Sequence, residues 1–237
     1  MRKLEYIMGM PVIVDPGDDD VFDYFRYVDE KFSPYKQNSE VTKFNDGRLR
    51  EENASWDMKL ILRLSDETKK STDGYFDIEL DEFINPSGIV KGWAIYNASK
   101  LLSQMGFKNF YLAAGGDIQT KGISSKEEKW TIGIRNPFDV NENIKVVYLS
   151  GEGIATSGIY ERGKHIYNPK GKIDSEVVSI SVIGPNVYEA DRFATAAFAM
   201  GKEGINFIEK QKDLEGYMID RKGIATMTSG FFKYTEE

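Results

Sequence analysis

Six short stretches rich in β-branched residues are threaded between blocks with helical spacing, and this interleaving confines the chain to folds in which sheets and helices share a core. YIMGMPVIVD (6–15), FYLAAGGDI (110–118), WTIGI (130–134), KVVYLS (145–150), VVSISVI (177–183) and EGYMID (215–220) predict strands. Apolar residues at three- and four-residue intervals predict helices over Asp19 to Phe32, Ala54 to Thr72, Val90 to Met105, Asp191 to Met200 and Lys202 to Lys212. The mixed order predicts an α+β fold in which sheets pack against helices. Asp46-Gly47 and Asp73-Gly74 mark turns, and Asn136-Pro137 and Gly184-Pro185 punctuate strand ends. No Pro/Ser-rich bridge, repeat or low-complexity tract interrupts residues 1–237, so a single unit with a cleft is expected rather than separable domains.

Composition narrows the chemistry. With 31 Lys and Arg against 38 Asp and Glu the net charge is −7, and no basic run offers a polyanion surface, so nucleic acid is not an expected partner. The absence of cysteine excludes disulfides, thiolate metal sites and thiol nucleophiles. Oxygen ligands and one imidazole, His165, remain for any metal or acid-base role. The N-terminal MRKLEYIMGMPVIVD lacks the apolar core and cleavage site of a secretory signal, and nowhere do about 18 apolar residues run uninterrupted. No membrane insertion is expected, and a cytoplasmic location is.

Four segments carry candidate chemistry. In NPSGIVKGWAIYNASKLL (85–102), Pro86 and Gly88 precede a helix whose first turn carries Lys91, so backbone N–H groups and an ammonium face one space suited to phosphate. A routine loop-to-helix junction with a solvated lysine is the plainer account. In AAGGDIQTKG (113–122), Gly115 and Gly116 permit close backbone approach and Asp117 can accept hydrogen bonds from neighbouring amides; a plain turn explains them as well. In EADRFATAAFAMG (189–201), Asp191 and Thr195 lie four apart, on one helix face, and offer hard oxygen atoms able to hold magnesium. The rival is an N-cap aspartate and a packed threonine. In GIATSGIYERGKHIYNPKGK (153–172), glycines bracket small hydroxyls and His165, as in a loop that approaches a ligand through its backbone. A lone histidine is more often structural, but a polar, Gly-flanked setting favours a site.

In this order the segments resemble the ApbE-like family of FAD:protein FMN transferases. FSPYKQNSEVTKFN (32–45) is similar to the family's F-S-x-Y-x-x-x-S-E-x-x-x-x-N element and TDGYFDIE (72–79) to its T-D-G-x-F-D element. NPSGIVKGWA is similar to the D-P-S-G-L-V-K-G-W-A form of a short, signal-less branch, and AGGD to the G-G-D turn. ATSGIYERGKHIYNP resembles A-T-S-G-x-Y-x-R-G-x-H-I-x-D-P, and ADRFATAAFAMG resembles A-D-x-x-A-T-A-x-x-x-M-G. The resemblance runs from about Met8 to Phe232 and implies an ApbE, T-fold-like architecture with a flavin cleft between two lobes.

It also implies an enzyme that binds FAD, uses Mg²⁺ and moves the FMN half onto a Thr or Ser hydroxyl of an acceptor flavoprotein, releasing AMP. Carried over by motif, Asp191 and Thr195 ligate the metal through side chains and Gly88 through its carbonyl. Met8, Tyr35, Tyr75, Phe76, Asp77, Asn85 and Lys91 line the flavin nucleotide, and His165 is the base beside the diphosphate. Arg162 and Lys164 steer the anionic cofactor or are simply solvated. Three positions depart from the family pattern. Asn85 stands for the Asp of D-P-S-G and cannot add negative charge near the metal; Asn168 stands for the Asp of H-I-x-D-P; Met10 stands for the Thr of M-G-T. The alternatives are a Mg²⁺-dependent FAD pyrophosphatase giving FMN and AMP, with water as nucleophile, and a flavin-binding module without catalysis. A monomer or homodimer is expected.

Overall fold

The structure is a computed structural model describing residues 1–80, 83–139, 141–159, 168–171 and 176–236. The chain begins as a hairpin, β1 (Lys3–Ile7) and β2 (Met10–Asp15), followed by helices α1 (Asp19–Phe32), α2 (Glu40–Asn45) and α3 (Trp56–Ser71). Two-residue strands β3 (Glu79–Leu80) and β4 (Phe83–Ile84) lead to α4 (Ser87–Gln104) and a second hairpin, β5 (Phe110–Ala114) and β6 (Asp117–Lys121). A separate hairpin of β7 (Trp130–Arg135) and β8 (Asn143–Leu149) precedes β9 (Gly153–Gly158) and β10 (Val177–Gly184). Helices α5 (Val187–Ala199) and α6 (Glu203–Glu209), then β11 (Glu215–Asp220) and β12 (Ala225–Met227), complete the fold.

Eight strands form one antiparallel sheet in the order β1-β2-β5-β6-β9-β10-β11-β12. The order hairpin, helices, hairpin therefore occurs twice. The two halves meet at β6 and β9, whose ladder contains only Ile118↔Ile154 and Gln119↔Gly153. Beyond Ile118↔Ile154 the ladder ends, while on its other side the Thr120 N–H still donates to the Glu152 carbonyl at 3.2 Å.

Three apolar clusters hold the layers. Asp18 caps α1 by accepting from the Asp20 N–H, and the helix turns Val21, Phe22, Phe25, Val28 and Phe32 inward. These pack with α3 and α4 against Val12 and Val14 of the sheet. Each fully buried phenylalanine here, such as Phe22 or Phe25, contributes roughly 1.5–3 kcal/mol of transfer free energy. A second cluster joins Ala190, Phe193, Ala194 and Ala197 of α5 to Ile180 and Val182 of β10 and to α6. The third lies on the opposite sheet face, where Ile132, Ile134, Val147 and Leu149 of the β7–β8 hairpin cover Ile118, Ile154, Ile183 and Ile219. Strand β10 is thus buried on both faces, and its apolar run VVSISVI is broken only by the small buried Ser179 and Ser181.

Packing at the seam depends on the absence of a side chain at Gly153. A Cβ there would stand 2.0 Å from the Val187 backbone nitrogen that opens α5. Because both groups belong to the backbone, no rotamer change relieves the clash. Gly153→Ala is expected to destabilise the protein by at least ~1–3 kcal/mol, read as a lower urea midpoint with an unchanged slope.

Candidate active site

A cleft of about 530 Å³ opens where the first half's helical layer meets the seam. Six segments distant in sequence line it: the β1–β2 turn, the α1–α2 connection, residues 75–78, the start of α4, the end of β9, and α5. Met8, Tyr35, Tyr75, Phe76, Asp77, Asn85, Gly88, Lys91, Asp191 and Thr195 all face this one space. His165, with Tyr160, Arg162 and Lys164 beside it, lies outside the described residues. The chain leaves the cleft wall at Gly158 before that segment. It is described again at Asn168–Gly171, where the Lys170 ammonium sits 4.7 Å from the Tyr75 ring centroid and 2.6 Å from Asp73.

The first wall is a tight turn, Met8-Gly9, with φ of +57° and +69°. A methionine held in this left-handed region is uncommon, and the turn presents Met8 to the cleft. The expected strand over 6–15 is for this reason two strands folded back on each other. Tyr35 stands on the rim, 93% exposed. Phe76 is buried, and its N–H is held by the Thr72 hydroxyl at 3.1 Å. Asp77 is paired with Lys69 at 2.6 Å and also accepts the Glu79 N–H, so its carboxylate is anchored rather than loose.

Helix α4 starts at Ser87, three residues earlier than the spacing suggests. Asn85 accepts from both the Ser87 N–H (3.2 Å) and the Ser87 hydroxyl (2.6 Å), an Asx turn that sets the helix entry. Gly88 is therefore in the first turn and Lys91 in the second. Helix α5 likewise begins early, capped by Asn186, whose side chain accepts the Glu189 N–H at 3.0 Å. Asp191 is not the cap. It sits a turn further in, 3% exposed, with Thr195 one turn beyond on the same face.

The floor of the cleft is a charged group buried between the helices and the sheet. The Lys91 ammonium lies 2.6 Å from Asp117 Oδ2 and 3.5 Å from Asp191 Oδ1. Asp117 is fully buried, and its other oxygen accepts the Thr156 N–H at 3.2 Å. Asp191 Oδ2 accepts the Gly92 N–H at 2.8 Å. A Cβ on Gly92 would approach the Asp191 Cβ to 2.7 Å, so α4 and α5 come this close only because residue 92 is glycine. Burial is the main cause that pushes the Asp191 carboxyl up, to about 7; nearby Asp117 adds to the shift, while Lys91 and the Gly92 amide oppose it. Two carboxylates and one ammonium away from water favour a state in which one carboxyl stays neutral.

Asp191, Thr195 and the Gly88 carbonyl form a hard-oxygen donor set suited to Mg²⁺. Gly88 packs beside Thr195, since a Cβ on the glycine would lie 3.6 Å from Thr195 Cγ2. A regular helix closes the residue-92 N–H onto the residue-88 carbonyl. Here that N–H also has an acceptor in Asp191, at 2.8 Å. Among the described residues no cluster of three or more His, Cys, Asp or Glu is present, so a cation held here draws its remaining oxygens from ligand and water.

Sequence reasoning did not find the Ser33–Lys36 wall as a whole, the Thr156–Gly158 wall, or the burial of Asp117 under Lys91. The first had a signal in the Pro34-Tyr35 turn. Thr156–Gly158 belong to a Gly-rich segment that reads as a loop but forms strand β9, whose small residues leave room for α5. The Asp117–Lys91 pair joins residues far apart in the chain, and no local pattern announces it.

Comparison with known proteins agrees with this architecture. A model described as the ApbE family matches residues 8–86 and 81–218. The chain is 29% identical over 154 residues to the FAD:protein FMN transferase of Escherichia coli K12, a match covering 60% of this chain and 44% of that protein. With the FAD:protein FMN transferase of Haemophilus influenzae it shares 30% over 169 residues, covering 65% and 49%. The chain thus spans less than half the length of these curated relatives. The ApbE protein of Thermotoga maritima superposes with a TM-score of 0.88 at 20% identity, over 100% of this chain and 99% of that one. The flavin transferase ApbE of Vibrio cholerae superposes at 0.84 and 21% identity, over 99% and 98%. Since the family match embraces the Met8 turn, the α4 entry and the Asp191–Thr195 face that together enclose the cleft, the chain belongs to the ApbE family.

Proposed function

We propose that this chain is a Mg²⁺-dependent FAD:protein FMN transferase, which moves FMN from FAD to a Thr or Ser hydroxyl of an acceptor flavoprotein and releases AMP. The observation that carries the proposal is the convergence of cofactor-lining and metal-ligating candidates from five distant segments on one cleft whose floor holds Lys91 between two buried carboxylates. The names of the curated relatives support the same reading.

The parts divide the work by chemistry. Met8, Tyr35, Tyr75 and Phe76 offer an apolar and aromatic wall for the flavin ring, and Asp77 offers an acceptor and the Asn85 amide a donor for its polar edge or ribityl hydroxyls. Lys91 supplies fixed positive charge toward the diphosphate. Asp191, Thr195 and the Gly88 carbonyl hold Mg²⁺, which when bound neutralises the oxygens around the phosphorus that is attacked. An alcohol is a poor nucleophile at neutral pH, so a base must take its proton; His165 fills that role, and the described chain on its N-terminal side leaves the cleft wall at Gly158.

The test is incubation with FAD, Mg²⁺ and a candidate acceptor, followed by intact-mass measurement. Transfer adds one FMN to the acceptor with one AMP released. Free FMN and AMP with an unmodified acceptor would replace this reading with the hydrolase, and FAD binding without any AMP would replace it with a binding module. Chelation by EDTA is expected to lower AMP release by ~10²-fold or more, with recovery on adding Mg²⁺.

A further inference from the structure

The buried carboxylate of Asp117 is the one charged group at the cleft floor that the proposed mechanism leaves without a task. It opens β6 immediately after the Gly115-Gly116 turn and is fully buried. Its two oxygens reach in different directions, Oδ1 to the Thr156 N–H of β9 at 3.2 Å and Oδ2 to the Lys91 ammonium of α4 at 2.6 Å. The β6–β9 ladder has ended by this point, its last pair being Ile118↔Ile154. The carboxylate thus takes over as acceptor where backbone pairing stops, at the place where the parting strands form the Thr156–Gly158 wall.

We propose that Asp117 is a positioning residue for the transfer reaction, fixing the Lys91 ammonium at the diphosphate end of the cleft while holding the β9 wall beside it; this rests on the function proposed above. Lysine is a point charge on a flexible four-carbon stem, and without a partner its ammonium samples many rotamers. Asp117 restricts it to one. Of the two carboxylates that flank the ammonium Asp117 is the nearer, at 2.6 Å against 3.5 Å for Asp191, so it is the one that fixes the lysine head. Asp117 touches no substrate in this scheme, and its effect passes through Lys91.

The test compares Asp117→Asn, Lys91→Met and the double variant of the full chain, following AMP release from FAD and Mg²⁺ in the presence of an acceptor, with FAD affinity from flavin fluorescence and a thermal melt for each. Asparagine keeps an acceptor for Thr156 but removes the charge that holds Lys91. Turnover of Asp117→Asn is expected to fall ~10–100-fold at saturating FAD, and the double variant is expected to be no slower than Lys91→Met within about three-fold, as required of a residue acting through another. Wild-type turnover in Asp117→Asn, or a double-variant loss equal to the product of the single losses, overturns the inference. Should Asp117→Asn not fold, Asp117→Glu replaces it: its charge is retained but carried one methylene further, so turnover again falls, and unchanged turnover overturns the inference. A wild-type chain that releases no AMP overturns the functional reading itself, whereas an active wild type with an equally active Asp117→Asn overturns only the role of Asp117.

Discussion

Replacing His165 with alanine is expected to lower FMN transfer ~10²–10⁴-fold while leaving FAD affinity within a few-fold of wild type. The expectation comes from scarcity. This chain holds one histidine and no cysteine, and the other charged groups at the cleft floor are committed. Lys91 is engaged with Asp117, and the carboxylate of Asp191 is engaged with Gly92. In the proposed site the remaining Asp191 oxygen is taken by the metal, so neither group is a spare base for the incoming hydroxyl. If the base is removed but Lys91 and the metal donors remain, FAD still binds and only the proton transfer suffers. A drop in kcat with little change in KM for FAD is the signature of that loss. Single-turnover AMP release under saturating acceptor isolates the chemical step, and turnover equal to wild type would remove His165 from the mechanism.

The parts of the fold carried by local pattern were legible in the sequence. The amphipathic spacing of Val21, Phe22, Phe25, Val28 and Phe32 sets α1 at Asp19–Phe32, where the periodicity places it. Strands β7, β8, β10 and β11 coincide with β-branched runs. Elements that depend on partners were not legible. Strand β9 is built from Gly153, Ala155, Ser157 and Gly158, a composition that in isolation describes a loop; it becomes a strand because β10 pairs with it along its whole length and α5 needs the space its missing side chains leave. The six-residue α2 is too short for a periodic signal and stands on a cap, the Ser39 hydroxyl accepting the Thr42 N–H. At the site the contrast is similar. Family resemblance nominates the residues that face the cleft, but no local pattern tells that Asp191 lies inside α5 rather than at its cap, or that Lys91 is clasped by a carboxylate from a different sheet strand. Those facts arise from the meeting of two halves of the chain at a seam only two residue pairs long.

The second large effect concerns Asp191, where function and stability should pull in opposite directions. Asp191→Asn keeps an oxygen for the Gly92 N–H, so the α4–α5 contact survives, but it removes the only carboxylate of the proposed metal donor set. Transfer is expected to fall ~10²–10³-fold, with loss of the Mg²⁺ dependence of what remains. Stability of the ligand-free chain should move the other way. The folded carboxyl is pushed up from 3.8 to about 7, chiefly by burial, so between those values the folded chain holds a proton that the unfolded chain has released. Stability from this group is complete below about pH 4 and is lost as pH rises through about 7. An asparagine carries no such loss. At pH 8 the ligand-free variant is expected to exceed wild type by on the order of 1–4 kcal/mol in urea unfolding, and the gap should close toward pH 4. Added Mg²⁺ with FAD should raise the melting temperature of wild type at pH 8 and leave that of the variant almost unmoved, because only an ionised carboxylate draws the cation in. A variant that is less stable than wild type at pH 8, or whose melting temperature responds to Mg²⁺ and FAD as wild type does, would show that Asp191 is held for packing and that the cation sits elsewhere.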